Sequence, residues 1–299
     1  MTTFGDMVYH MGGVPAGLGT IIPTNNVFWV DSNTGNDSNT GKKRSAPMAT
    51  ISAAIAKCTA AKGDVIFVFP NHAEVVTTSI TVNVAGVYII GLGTGRHRPA
   101  LTTTTATDVV TVTADNVTLA NLHFGVPGID AVTADINIAA ANCHVLNTTH
   151  LGSTTSMNKV DIITLTAAAH DAYLDGVTIW NDTVEVVGGI VLEGAAKRVK
   201  IYNCKVLDSI GFTNGALSDE ATALQLEVFN CYFQNAKAAT VVVEFGNNTT
   251  GVCRFMHVAG GHTTIASNIT AGTGMRFFET RVNEEAALNG MIMPAADAE

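Results

Sequence analysis

Through the second half of the chain a six-residue block returns again and again, with the form apolar-x-(Asn or Gly)-apolar-x-apolar. It reads LANLHF at 119–124, LDGVTI at 174–179, IYNCKV at 201–206 and VFNCYF at 228–233, with weaker copies AANCHV at 140–145, CRFMHV at 253–258 and FFETRV at 277–282. The third positions fall at 121, 142, 176, 203, 230, 255 and 279, so the steps are 21, 34, 27, 27, 25 and 24 residues. A drifting period of this size is the mark of a solenoid whose turns carry loops of unequal length. Repeats built from paired helices need long stretches of 3.6-residue periodicity, which this region lacks. One short strand per block fits better.

Side chains two apart in a strand share a face, so the block assigns directions. Its first, fourth and sixth positions are expected to point inward, and they form almost wholly apolar columns. Leu119, Ala140, Leu174, Ile201, Val228, Cys253 and Phe277 make the first. Cys143, Cys204 and Cys231 share the second, where small thiols serve as packing groups. Asn121, Asn142, Asn203 and Asn230 are expected to stack at one bend, because Asn tolerates the left-handed backbone. Earlier, VIFVF at 65–69 and VYII at 87–90 read as strands. Between them and the start, TISAAIAKC at 50–58 reads as a helix, with Thr50 as N-cap and Ile51, Ile55 and Cys58 on one face.

These patterns predict an all-β fold: a single-stranded right-handed parallel β-helix over 27–283, with an N-terminal capping α-helix at about 50–61. An arm at 1–26 and a tail at 284–299 flank it. Low charge supports the reading, since only 14% of residues are charged and 47% are hydrophobic, which excludes disorder. The net charge of −9 argues against nucleic acid as a partner. No apolar run approaches the roughly 20 residues that cross a bilayer, so no membrane partner is expected. Residues 1–20 lack a basic segment followed by an apolar one. The chain is therefore expected to be made without a secretory signal, with its five cysteines reduced.

The segments VDSNTGND at 30–37, PMATISAAI at 47–55 and GDVIFV at 63–68, with Pro70, resemble the opening coil of the pectate-lyase-like β-helix superfamily, in the form found in phage virion structural proteins. The resemblance implies the β-helix fold and a virion location after synthesis in the host cytoplasm. By analogy it also implies a homotrimer that contacts the major capsid protein or other virion proteins. It poorly specifies activity, since one fold hosts many functions.

Sugar-cleaving members of that superfamily lead one to seek Asn-Thr-Asp, Asp-Asp, Gly-His-Gly and Arg-Ile-Lys, and none is present. The acids Asp161, Asp171, Asp182 and Glu193 look scattered, whereas glycoside hydrolysis needs two carboxylates at a set separation. With two Trp and five Tyr, aromatic platforms also look scarce. No catalytic residue, metal or cofactor is assigned, and the reading leans away from an enzyme. Asp31 to Asp37 lacks the closing Glu of a calcium loop and reads as an Asx turn. Gly91 to Gly95 is followed by Pro99 rather than a helix, so it is no phosphate cradle.

Two surfaces stand out instead. The outward fifth position of the blocks yields a candidate contact stripe of His123, His144, Lys205, Tyr232, His257 and Arg281, which could meet a subunit, a glycan or a metal. The arm carries Met7, Tyr9, His10 and Met11 and reads either as a docking segment or as a strand along its own solenoid. The function expected from all this is a trimeric decoration or cement protein of a phage head. The alternative is a tailspike or tail-fibre protein that binds or depolymerises polysaccharide.

Overall fold

The structure is a computed structural model that describes residues 26–153, 157–260, 268–271, 274–284 and 290–292. Its described strands stack into three sheets that form a parallel β-solenoid of the right-handed type, about eight three-sided turns long. Sheet 1 runs from Val27–Val30 to Gly274–Phe278 and sheet 2 from Ala73–Val76 to Thr280–Glu284, with an added antiparallel strand Gly290–Ile292. Sheet 3 runs from Ile80–Val82 to Ile269–Thr270. The inside is packed with Val, Ile, Leu and Phe from all three sheets, which join in one continuous core.

Backbone that coils this tightly must turn sharply between sheets, and left-handed residues do the turning. Between sheets 1 and 2, Asn121, Asn147, Gly176, Asn203, Asn230, Phe255 and Glu279 all have φ of 50° to 68°. Their N–H groups bond the next coil: Asn121 N–H to Leu146 O, Asn147 to Asp175 O, Gly176 to Tyr202 O, and so on to Phe255 and Phe278 O. A second ladder before sheet 1 uses Asn116, Asn142, Asp171, Arg198 and Gln225, with φ of 53° to 61°.

This places one block differently from its sequence reading. Asn142 belongs to the second ladder, where its side chain donates to Asn116 at 2.6 Å. The block that aligns with the others is VLNTTH at 145–150, since Val145 pairs with Leu119 and Leu174. Ala140 therefore leaves the first column and Cys143 leaves the cysteine column, where Cys204 and Cys231 remain. Anchoring on 147 replaces the uneven steps of 21 and 34 by 26 and 29. The true block escapes a hydrophobic pattern because its inward positions are Thr148 and His150, both fully buried.

The predicted helix is shorter than 50–61. It spans Ile51–Ile55, with Thr50 accepting from Ala53 N–H, and it packs on the strands Val27–Val30, Val65–Val68 and Ile80–Val82. Asp37 fixes its start by accepting from Ala49 N–H, Thr50 N–H and the Thr50 hydroxyl at 2.8 to 3.0 Å. Asp31 accepts from Asn33 N–H and the Thr34 hydroxyl, as an Asx turn requires.

Candidate contact surfaces and the buried polar core

The outward stripe exists on sheet 2. Ala100, His123, Thr149, Thr178, Lys205, Tyr232, His257 and Arg281 stand in register on successive coils. His144 is not among them: it faces outward on sheet 1, edge-on to Tyr173 with centroids 5.7 Å apart, and Thr149 takes its place. The His123 ring shares a 2.8 Å hydrogen bond with the Thr149 hydroxyl, and burial holds its pKa below the ordinary value. Among the described residues no three His, Cys, Asp or Glu side chains converge as a metal site. Met7, Tyr9, His10 and Met11 lie outside the described residues, as does most of the tail.

Aromatic side chains are few but concentrated. Tyr173, Tyr202, Phe229 and Phe255 form a ladder on consecutive coils along the outside of sheet 1 and its corner, with centroids 5.4 to 5.5 Å apart. At the far end Phe255 is 52% exposed and Phe278 43% exposed, and the Arg254 guanidinium lies over the Phe278 ring. Exposed Arg276 and Arg281 flank them. A recess of about 520 Å³ is lined by Phe255, Met256, His257, Glu279 and Arg281, and another of about 740 Å³ includes Arg254 and Arg276. Phe255 occupies the left-handed bend where earlier coils use Asn or Gly. For a residue with a bulky side chain this conformation costs about 1–2 kcal/mol, and the cost is borne at an exposed aromatic.

Sheet 3 has the opposite character. Asp161 is nearly buried, and its pKa is pushed up to about 7 by burial first and then by Glu193 and Glu220. Glu193 is raised too, by burial, Glu220 and Asp108. Glu193 and Glu220 are exposed and stand on adjacent coils, because Leu192 pairs with Asp219. Acids that look scattered along the chain thus meet across coils, whereas Asp171 instead forms an exposed pair with Arg198 and Asp182 stays exposed. Their spacing of 27 to 32 residues signals proximity only once the coil length is known.

Inside the solenoid lies a polar cluster that hydrophobic patterning cannot anticipate. Lys159 is fully buried, and its ammonium donates to Gly125 O at 3.0 Å, Leu151 O at 2.6 Å and Asp135 at 2.7–2.8 Å. Asp135 also meets His150 Nδ1 at 3.0 Å, and His150 Nε2 meets the Thr148 hydroxyl at 2.9 Å. The His150 ring stacks on Phe124, 4.7 Å away and 5° from parallel. Burial lowers the pKa of both Lys159 and His150, and the neighbouring Asp135 opposes it. Three acceptors around one ammonium make Lys159 a strut that ties the loops leaving sheet 2 to sheet 3. Asp135, Thr148, His150 and Lys159 are all buried.

No family model matches the chain, and no curated protein matches it in sequence. Similar solved structures include a rhamnogalacturonan lyase, with TM-score 0.59 and 14% identity over 86% of this chain and 74% of that one. The pectin methylesterase from Aspergillus niger, in deglycosylated form, has TM-score 0.54 and 11% identity over 94% of this chain and 93% of the other. ORF18 of Geobacillus virus E2 aligns with TM-score 0.44 and 12% identity over 79% of this chain and 57% of that one. At these identities the first two likenesses establish the parallel β-helix fold and nothing about activity.

Proposed function

We propose that this chain is a non-enzymatic structural protein of a phage virion, a rigid β-helix that decorates or cements the head as a homotrimer. The observation that carries the contact function is the corner formed by Phe255, Phe278, Arg254, Arg276 and Arg281. Exposed aromatics beside arginines are the residue types that dominate binding energy at protein interfaces. The virion assignment draws its support from the resemblance of residues 28–70 to phage β-helix proteins. The outer edge of the first strand is paired by Gly41 and Met48, so the expected capping role does not fall to the helix Ile51–Ile55. Electron microscopy of the native particle, with labelled antibody to this protein, tests the reading. Density on the head surface is the expected result, and label confined to a tail tip refutes it.

A second reading draws on sheet 3. Asp161, its pKa pushed up to about 7 by burial and by Glu193 and Glu220, offers a carboxylic acid of the kind that hydrolysis of a polysaccharide uses as proton donor. This is the tailspike alternative. Release of reducing ends from host capsular polysaccharide, abolished by Asp161→Asn, would establish it.

A further inference from the structure

We propose that the buried pair of Lys159 and Asp135 condenses into an intramolecular isopeptide bond, a covalent staple between successive coils that the folded chain makes for itself. The inference is independent of the virion reading, because it rests on the inside of the solenoid and not on a surface. The three protons of the Lys159 ammonium are all assigned: they go to Gly125 O, Leu151 O and Asp135 Oδ2. Nζ is also 2.7 Å from Asp135 Oδ1, a buried oxygen with no hydrogen-bond partner among the described residues. Nζ thus rests against both carboxyl oxygens, which puts the carbon joining them within the ~3–3.5 Å of a near-attack pair. Burial lowers the pKa of Lys159 and so brings its free amine, the nucleophilic form, within reach. The ion pair in the structure is the precursor of the bond.

The step balances without any other reagent. A proton passes from Nζ to Oδ2 along their 2.8 Å hydrogen bond, giving an amine and a carboxylic acid with no change of net charge. The amine keeps its two remaining N–H groups on Gly125 O and Leu151 O, so its lone pair is left facing the carboxyl group. Attack on Cγ forms the N–C bond and a second proton moves from nitrogen to Oδ2. Oδ2 then leaves as water, and Oδ1 becomes the amide carbonyl. His150 Nδ1, 3.0 Å from Oδ2, donates to the departing oxygen; an ionised carboxylate can only accept, so the ring carries its proton on that nitrogen. The Thr148 hydroxyl at Nε2 and the stacked Phe124 ring hold the imidazole in place. Asp135 and Lys159 lie just before the sheet 3 strands Ile136–Ile138 and Asp161–Leu165, which pair directly, so the bond ties neighbouring coils. Each coil of a solenoid is otherwise held only by its neighbours, and a covalent link resists their separation. The pair of Lys237 with Glu185 has the same two groups but stands at the surface in water, and it stays ionic.

Intact-mass spectrometry of the full chain, folded first and denatured for the measurement, reads the bond directly. The wild type should be lighter than its sequence by the mass of one water. Trypsin, which cuts after a free lysine, should leave the bond between Lys159 and Val160 uncut. Lys159→Met removes the nucleophile, and Lys159→Arg keeps the cation but holds its protons; both should have the full mass of their sequences. His150→Leu should slow closure about 100-fold, read as mass against time after synthesis, because the departing oxygen loses its donor. A folded wild type of full mass that trypsin cuts after Lys159 overturns the proposal. So does a Lys159→Met or Lys159→Arg variant that is lighter by one water, since the loss then lies elsewhere in the chain. An unslowed His150→Leu overturns the part given to the histidine. Should neither lysine variant fold, the wild-type mass and its tryptic map decide the question by themselves.

Discussion

Removing the ammonium of Lys159 while keeping its length, by Lys159→Met, should cost the solenoid about 3–5 kcal/mol. Two main-chain carbonyls, Gly125 O and Leu151 O, lose their buried donor, at about 1–3 kcal/mol each. Asp135 is left in the core with only His150 facing it. The methionine stem refills the space of the lysine stem, so little of the loss comes from a cavity. For a domain of this size roughly 2 °C of melting temperature accompanies each kcal/mol, so a drop of about 6–10 °C is expected. The double variant Lys159→Met with Asp135→Asn should recover on the order of 2 kcal/mol relative to additivity, because it removes the orphaned charge. Reversible urea unfolding followed by circular dichroism measures both. A loss under about 1 kcal/mol for Lys159→Met, with no coupling to Asp135, would show that the cluster is not the strut described here.

His150 adds a pH signature: its folded pKa lies below the ordinary value, so the unfolded chain binds the proton first, and stability should fall as pH drops below about 6.5. Asp161 works in the other direction, since its raised pKa means stability is greatest below about pH 4 and is lost as pH rises towards 7. Asp161→Asn should therefore stabilise the protein at pH 8 by on the order of 2 kcal/mol and remove the loss of stability that accompanies rising pH between about 4 and 7, leaving the opposite slope of His150. Ile201→Asp buries an unpaired charge between coils and should prevent folding, whereas exposed Lys205→Ala should melt like the wild type. Equal melts for those two would overturn the assignment of faces. Glu279→Asn, at an exposed left-handed bend, should raise stability by about 1 kcal/mol, and a lower melting temperature would refute the ladder argument.

Strand period and bend chemistry are local properties, and they were legible without coordinates. Leu174, Ile201 and Val228 announce a column because each must be apolar to lie inside, and Asn121, Asn203 and Asn230 announce a corner because few other residues accept φ near 55°. Local pattern misleads where two corners use the same residue type. Asn142 mimics the first ladder while sitting in the second, and the block containing Asn147 hides because Thr148 and His150 break the apolar rule. Those two can be polar inside because they bond each other and because Asp135, 15 residues before His150 along the chain, meets the other ring nitrogen and is itself held by Lys159.

The sequence by itself determined the architecture, although each block proves to be two short strands of sheets 1 and 2 joined at the left-handed bend rather than the one strand expected, because the Asn turns the chain between them. Tertiary structure alone decided the surfaces. Asp161, Glu193 and Glu220 become neighbours, and Arg254, Arg276 and Arg281 become a corner, only through the register between coils. Register is set by where each loop ends, and loop length varies from turn to turn without leaving a mark on the strands it separates.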